Sequence, residues 1–314
     1  MEFSEYYVAY FDVLGYKDAF KKSKDISAQL VKSIESSIDL MKKIVFAVNN
    51  ISKESTKKTP EIEYKIFSDN ILICYKDIKD ALSALSLVSF LRLIATIQRI
   101  FFEGFHLIVR GGITKGPLYL SNDFVGGKAL IDAVELENTA VYPRIVVADC
   151  ILSELNSKIQ NVFQKYIVDA SCQDLLIKNA ENKSFLNYIV ALNPWIWFPK
   201  NTLRPENIEN FEELEKNVRE GRQRKPIYNP ECRIEVYVTL RKHKDFIEKK
   251  VNEFSLSTNN ETEETKRLKI LNKYLWLVSF HNKICEEMYN TPDLKIKLKS
   301  EFNEQTLAFD VSVG

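Results

Sequence analysis

A chain of 314 residues with 45% hydrophobic and 28% charged side chains is long enough for one large or two modest domains with cores of their own. Lysine and arginine number 44 against 43 aspartates and glutamates, so no global field points to nucleic acid or to an anionic membrane, and neither is expected as a partner. The five cysteines, Cys74, Cys150, Cys172, Cys232 and Cys285, form no CxxC and no paired spacing, which argues against a disulfide framework and a zinc site and suits a reducing cytosol.

The first residues, MEFSEYYVAY, lack the basic segment of a signal peptide, and a cytoplasmic location is expected. Glu5 to Leu14 is aromatic and β-branched and predicts a core strand closed by Gly15. From Lys17 to about Val48 the residues Leu30, Val31, Ile34, Ile38, Met41 and Ile44 recur mostly at three and four, predicting a helix, and polar residues 49–60 predict a loop. Glu61 to Tyr75 holds two apolar β runs that meet at Ser68, Asp69 and Asn70. A second long helix is expected over Asp77 to Gly104. Its apolar stretch, Ala84 to Phe102, is broken by Arg92, Gln98 and Arg99 and so reads as buried rather than membrane-spanning.

A glycine-rich section follows. Of nine glycines, Gly104, Gly111, Gly112, Gly116, Gly126 and Gly127 fall close together, concentrating unusual backbone or close approach there. Lys128 to Glu137 predicts a helix and Arg144 to Ala148 a strand. The order β, α, β-β, α, β, α, β predicts an α+β sandwich with a mostly antiparallel sheet flanked by helices, because a hairpin at Asp69 is no parallel crossover. Beyond Cys150 strand-like runs appear at Lys165 to Asp169 and Phe185 to Leu192, then NPWIWFP, and helices near Asn210 to Glu220, Tyr237 to Glu253 and Glu264 to Tyr289 around a polar linker, Ser255 to Glu264. The expected division is a catalytic domain over 1–195 and a mainly helical region over 196–314.

Two aspartates suggest chemistry. Asp12 lies near the end of one strand and Asp69 at a hairpin tip, and neighbouring strands would bring both carboxylates to one sheet end. Hard divalent cations take such oxygens together with substrate phosphates, so the pair suits a two-metal phosphoryl-transfer site. The alternative is that Asp12 caps the next helix and Asp69 simply favours its turn. Val13, Leu14, Gly15 and Tyr16 then run from strand into helix, where free amides attract phosphate; a plain strand-to-helix turn is the other reading.

These residues resemble the class III nucleotidyl cyclases over about the first 150 positions. AYFDVLGY resembles the first metal-binding aspartate with its phosphate loop, KIFSDN the second, VRGGITKG the strand after the long helix, and GKALIDAVELE the helix after that. The resemblance implies a homodimer with active sites at the subunit interface and two divalent ions, Mn2+ or Mg2+, held by Asp12, Val13 and Asp69. It further implies attack of a ribose 3′-hydroxyl on the α-phosphorus. Where purine cyclases carry an asparagine and an arginine, this chain has Ile131 and Glu135. An apolar side chain and a carboxylate cannot orient a ribose or neutralise developing negative charge in the same way. FDVLGY, FSDNI and RGGITKG look most like the bacterial pyrimidine cyclases of the Pycsar antiphage systems, which implies cyclic UMP or cyclic CMP as product and a downstream cyclic-nucleotide-binding effector.

Supporting candidates are Lys65, in the position where purine cyclases read the base, Arg110, Lys115 and Lys128. Lys65 meets base or phosphate, or is an outward strand lysine. Arg110 contacts nucleotide, or holds Asp12 or Asp69 in place. Lys115 and Lys128 are phosphate candidates. His106, His243 and His281 lie far apart in sequence and read as structural, Trp195, Trp197 and Phe198 as a small aromatic core, and the basic run 221–225 as a solvated loop. A purine cyclase, a non-catalytic nucleotide-binding dimer and a palm-like nucleotidyl transferase stay open as alternatives.

Overall fold

The computed structural model describes residues 2–16, 24–55, 62–77, 83–159, 165, 172, 175–179, 182–189, 230–256, 261–298 and 311–312. The strands are β1 (Ser4–Val13), β2 (Ile62–Phe67), β3 (Asn70–Lys76), β4 (Val109–Leu120), β5 (Val125–Gly126), β6 (Ile145–Val147), β7 (Leu176–Asn179), β8 (Ser184–Leu186) and β9 (Val311–Ser312). The helices are α1 (Lys24–Ser55), α2 (Ser83–Phe105), α3 (Lys128–Thr139), α4 (Asp149–Ser157), α5 (Pro230–Ser255) and α6 (Glu261–Lys283). The sheet order is β2-β3-β1-β4-β6-β8-β7-β9, with β5 on β4. Among the described residues all pairs are antiparallel except β4 with β6, which the crossover through α3 makes parallel. The expected α+β sandwich, a mostly antiparallel sheet flanked by helices, is the observed one.

Strand alternation divides the two faces. Tyr7, Ala9, Phe11 and Val13 point into the main core with Ile71, Ile73 and Tyr75, under α1 and α2. Helix α1 contributes the stripe Ile34, Met41 and Val45, as its periodicity predicts, but runs on to Ser55 through residues read as a loop. Serine and asparagine are weak helix formers rather than breakers, so the turn signal in NNISKES does not end the helix. Helix α2 is buried nearly all round because two layers cover it. Phe101 serves the main core, while Phe102 belongs to a second cluster with Phe185, Tyr188, Leu240, Phe246, Trp276 and Phe280. Truncating such a buried phenylalanine costs about 3–5 kcal/mol.

That second core spans the sequence division expected at residue 195, since α5 and α6 pack on α2 and on β7 and β8. It also joins two histidines remote in sequence. His243 and His281 are fully buried with their Nδ1 atoms 3.1 Å apart. His281 Nε2 is 2.9 Å from the Leu294 carbonyl and His243 Nε2 is 2.5 Å from the Tyr188 hydroxyl. In the neutral pair, a carbonyl at one end fixes every proton: His281 Nε2 donates to Leu294, His243 Nδ1 donates to His281, and Tyr188 donates to His243. Both residues are structural, as expected, and His106 lies exposed at the end of α2, stacked on Phe246.

Several boundaries differ from expectation. Asp77 itself is not helical and is engaged in an ion cluster described below, and helix α2 is described from Ser83 onward. Helix α4 and strands β7 and β9 were not anticipated, and β8 is shorter than the run expected over Phe185 to Leu192. Lys17, the strand-like residues 166–169, Trp195, Trp197, Phe198, the helix near Asn210 to Glu220 and the basic run 221–225 lie outside the described residues. Among the described residues no helix is long and apolar enough to cross a membrane.

Candidate functional site

The other sheet face is covered by α3, and glycines decide how closely. A Cβ at Gly112 would stand 2.7 Å from the Ala133 carbonyl oxygen and 2.7 Å from Leu136 Cβ, and one at Gly116 would stand 3.6 Å from Ala129 Cβ. Both alternate onto the α3 side of β4. Small residues on both partners, Ala129 and Ala133 on the helix and these glycines on the strand, seat α3 directly on the backbone. One turn past Ala133 the same row presents Glu137, which is therefore driven into the sheet at the end of β1.

There Asp12 pairs across the sheet with Asn70 on one side and Arg110 on the other. Asp69 occupies the second place of a two-residue hairpin loop whose first residue, Ser68, has φ 59. The Val13 amide donates to the Asp69 carbonyl at 3.2 Å, tying the hairpin tip to the end of β1. The two aspartates therefore lie on adjacent strands at one sheet end, which the sequence placed only conditionally. The turn and the presented acid are the same object: the hairpin tip holds Asp69, itself only 9% exposed, beside β1.

Four further contacts define the cluster. Arg110 Nε and Nη2 donate to Asp12 Oδ1 and Oδ2 at 3.1 and 3.3 Å, and Arg110 Nε stands 2.7 Å from Glu137 Oε1. Asn70 Nδ2 donates to Asp69 Oδ1 at 3.3 Å, and the Tyr10 hydroxyl donates to Asn70 Oδ1 at 2.5 Å. The electrostatics agree with this geometry. Burial raises the Tyr10 pKa, and Glu137, Asp12 and Asp69 raise it further against the single opposing charge of Arg110. For Arg110, burial pulls downward, but its bonds to Asp12 and the charges of Asp12 and Glu137 outweigh burial and raise it. Two carboxylates, Asp12 and Glu137, thus share one guanidinium, and Asp69 adds a third negative charge felt at Tyr10. Among the described residues no three His, Cys, Asp or Glu side chains are grouped to hold a metal ion, so a divalent cation at Asp12 and Asp69 would need backbone oxygens, water or substrate phosphates to complete its shell.

The remaining candidates divide. Val13 and Leu14 adjoin the cluster, but their amides already donate to Asp69 and to the Ile108 carbonyl, at 3.2 and 2.8 Å, so they close the strand end rather than face a phosphate. Gly15 follows with φ +87 and nothing within 4 Å of where a Cβ would stand, and Tyr16 packs against the main core. Lys65 shares the sheet face of Asp12, where its Nζ donates to the Asn122 carbonyl at 2.6 Å. Lys128 opens α3, bonds Asp132 at 2.5 Å, and stands about 14 Å along the helix axis from Glu137. Lys115 does not belong to this site. It pairs with Tyr7 on the opposite face, about 17 Å along β1 from Asp12, and bridges Asp77 and Glu154 at 2.8 Å each. Ile131 and Glu135 are exposed on α3. Tyr10, Asn70 and Glu137 were missed as site residues. Tyr10 was legible, since two places before Asp12 on a strand is the same face; Glu137 declares itself only through its tertiary partner.

No protein-family model and no curated protein sequence matches the chain. Among solved structures, the adenylyl cyclase CyaB from P. aeruginosa is similar at 11% identity, over 59% of this chain and 94% of that one, with a TM-score of 0.39. A class III adenylyl cyclase-like ATP-binding protein from Pseudomonas aeruginosa is similar at 10% identity, over 59% of this chain and 39% of that one, with a TM-score of 0.37.

Proposed function

We propose that this chain is a nucleotidyl cyclase that converts a pyrimidine nucleoside triphosphate, UTP ahead of CTP, into its 3′,5′-cyclic monophosphate and pyrophosphate. The observation that carries the proposal is the convergence of Asp12 and Asp69 at one sheet end, in a cluster of three carboxylates and one guanidinium. Asp12, Asp69 and the Val13 carbonyl would hold two Mg2+ or Mn2+ ions, which when bound supply Lewis-acid activation of the 3′-hydroxyl and neutralise the triphosphate. The protein's part is rigidity. Asp12 is fixed by a strand paired on both sides, and Asp69 by a tight hairpin braced through Asn70 and Tyr10. In the reaction the 3′-hydroxyl would lose its proton to water, its oxygen would bond to the α-phosphorus, and the bond to the bridging oxygen would break as pyrophosphate leaves.

The pyrimidine preference and the role in antiphage signalling rest on the resemblance of FDVLGY, FSDNI and RGGITKG. Ile131 and Glu135 support the base preference, because neither supplies the donors a purine cyclase places there, whereas Lys65, whose Nζ donates to the Asn122 carbonyl, keeps a purine substrate open. A homodimer is proposed on the same resemblance, with residues 1–195 as the catalytic part. Phe67, on the sheet face of Asp12, is 81% exposed, and Phe124 and Ile131 are 60% and 59% exposed, an apolar set that a second copy would cover. Incubating the purified chain with Mn2+ and each of ATP, GTP, CTP and UTP tests the reading by chromatography against cyclic standards. A cyclic pyrimidine is expected. A cyclic purine would keep the reaction and overturn the base choice, and no cyclic product from folded dimer would favour a nucleotide-binding module.

A further inference from the structure

Arg110 is one guanidinium between two anions on different elements. It covers both oxygens of Asp12, at 3.1 and 3.3 Å, and stands closer still to Glu137, at 2.7 Å. A divalent cation at Asp12 needs at least one of those covered oxygens. We infer that Glu137 is a positioning residue: it retains Arg110 when a cation takes an Asp12 oxygen, so that the guanidinium changes partner without leaving the site. The inference rests on the reading of Asp12 and Asp69 as the cation-holding pair.

Three observations support it. The Glu137 side chain is only 6% exposed, on the row of α3 otherwise filled by Ala129 and Ala133. A carboxylate there carries a desolvation penalty that a neutral residue of the same size would avoid, so its charge calls for a use. The depth of the helix sets this position, because Ala133 and Leu136 lie against the Gly112 backbone and seat Glu137 beside Arg110. And if Arg110 served only to neutralise Asp12, one acid would suffice; a second acid already at 2.7 Å gives the guanidinium somewhere to go with almost no movement.

The test is Mn2+ binding without nucleotide, read from the electron paramagnetic resonance signal of free Mn2+. Wild type is compared with Glu137→Gln, Glu137→Asp, Arg110→Gln and the double variant Arg110→Gln with Glu137→Gln. Glu137→Gln leaves Arg110 on Asp12 alone and is expected to weaken Mn2+ binding about 10- to 100-fold, the range for groups that orient metal ligands. Glu137→Asp, which keeps the charge, is expected to recover part of that loss. Arg110→Gln uncovers Asp12 and is expected to tighten binding, and in that background Glu137→Gln should change the Kd by less than about threefold. Glu137→Gln binding within about twofold of wild type would overturn the inference, as would Arg110→Gln binding more weakly than wild type. An equal loss in both backgrounds would also overturn it, since Glu137 would then act by its field alone. Asp12→Asn and Asp69→Asn separate the two levels: if they bind Mn2+ as wild type does, the site reading itself fails and takes this inference with it.

Discussion

Two ion clusters sit on opposite faces of this sheet, and their charge counts differ. In one, Asp77 and Glu154 meet Lys115 and Lys158: Lys115 bridges both acids at 2.8 Å, Lys158 bonds Asp77 and lies 3.4 Å from Glu154, and both ammonium groups stand 5.4 Å from the Tyr7 ring centroid. Two acids and two bases cancel there, so the cluster is complete as it stands. In the other, Asp12 and Glu137 flank the single cation of Arg110, and the charge of Asp69 reaches the same Tyr10 hydroxyl, so negative charge is in excess. Similar burial and similar distances thus describe two different objects. A balanced cluster fastens the fold, and an unbalanced one has room for a charge from outside, which is the role proposed for Asp12 and Asp69.

The sharpest way to break that comparison is to unbalance the balanced cluster. The Asp77 side chain is 4% exposed, so Asp77→Ala leaves two ammonium groups to share Glu154 and the Tyr7 hydroxyl without its acceptor, and is expected to cost about 3 kcal/mol of stability. Denaturant unfolding would measure this, while the proposed cyclase activity per folded molecule should stay within about twofold. A large loss of activity without a loss of stability would return Lys115 and its partners to the functional side.

The histidine pair offers a contrast in which burial acts without any acid nearby. Burial lowers the His281 pKa to about 4 and that of His243 well below its ordinary value. The unfolded chain takes up protons near pH 6.5 that the folded chain refuses, so stability is complete above that pH and declines as pH falls toward 4. His281 alone corresponds to about 3 kcal/mol over that window. Urea midpoints measured at pH 7.5 and pH 4.5 should show the loss, and His281→Phe should reduce its pH dependence; an equal dependence in the variant would contradict the assignment.

Gly112→Ala probes the seat of α3. Its Cβ would meet backbone at 2.7 Å, which overpacks the helix contact by about 1–3 kcal/mol and lifts Glu137 away from Arg110. Mn2+ binding should weaken along with stability; unaltered binding would show that helix depth does not set the site. The smallest effect is expected at Ser68, whose φ of 59 favours glycine. Ser68→Gly should stabilise by about 0.5–1 kcal/mol in thermal unfolding, unless the side chain itself serves the site.

Much of the first half was legible because strong local signals coincide with tertiary roles. The polar trio at Ser68 to Asn70 between two apolar runs marked the hairpin, and an acid ending an aromatic strand marked Asp12. Lys115 was misplaced although its position carried the answer: it lies five residues from Arg110 on one strand, and an odd separation puts the two on opposite faces. Glu137 reads as the solvated end of ELEN until Gly112 brings the helix down on the sheet. The second half was harder because β7 and β8 span four and three residues, too few to show alternation, and because the His243 and His281 contact joins residues 38 apart in sequence.

The most direct measurement compares wild type with Asp69→Asn for cyclic nucleotide formed from UTP and Mn2+, at matched circular dichroism and oligomeric state. Asparagine tolerates the same turn, so this substitution keeps the hairpin and removes only the charge. The expected result is a loss of cyclic UMP formation of about 10²- to 10³-fold with folding intact, the scale on which removing one electrostatic contributor lowers turnover. Cyclic UMP formed at the wild-type rate by the variant would contradict the placement of the active site at Asp12 and Asp69.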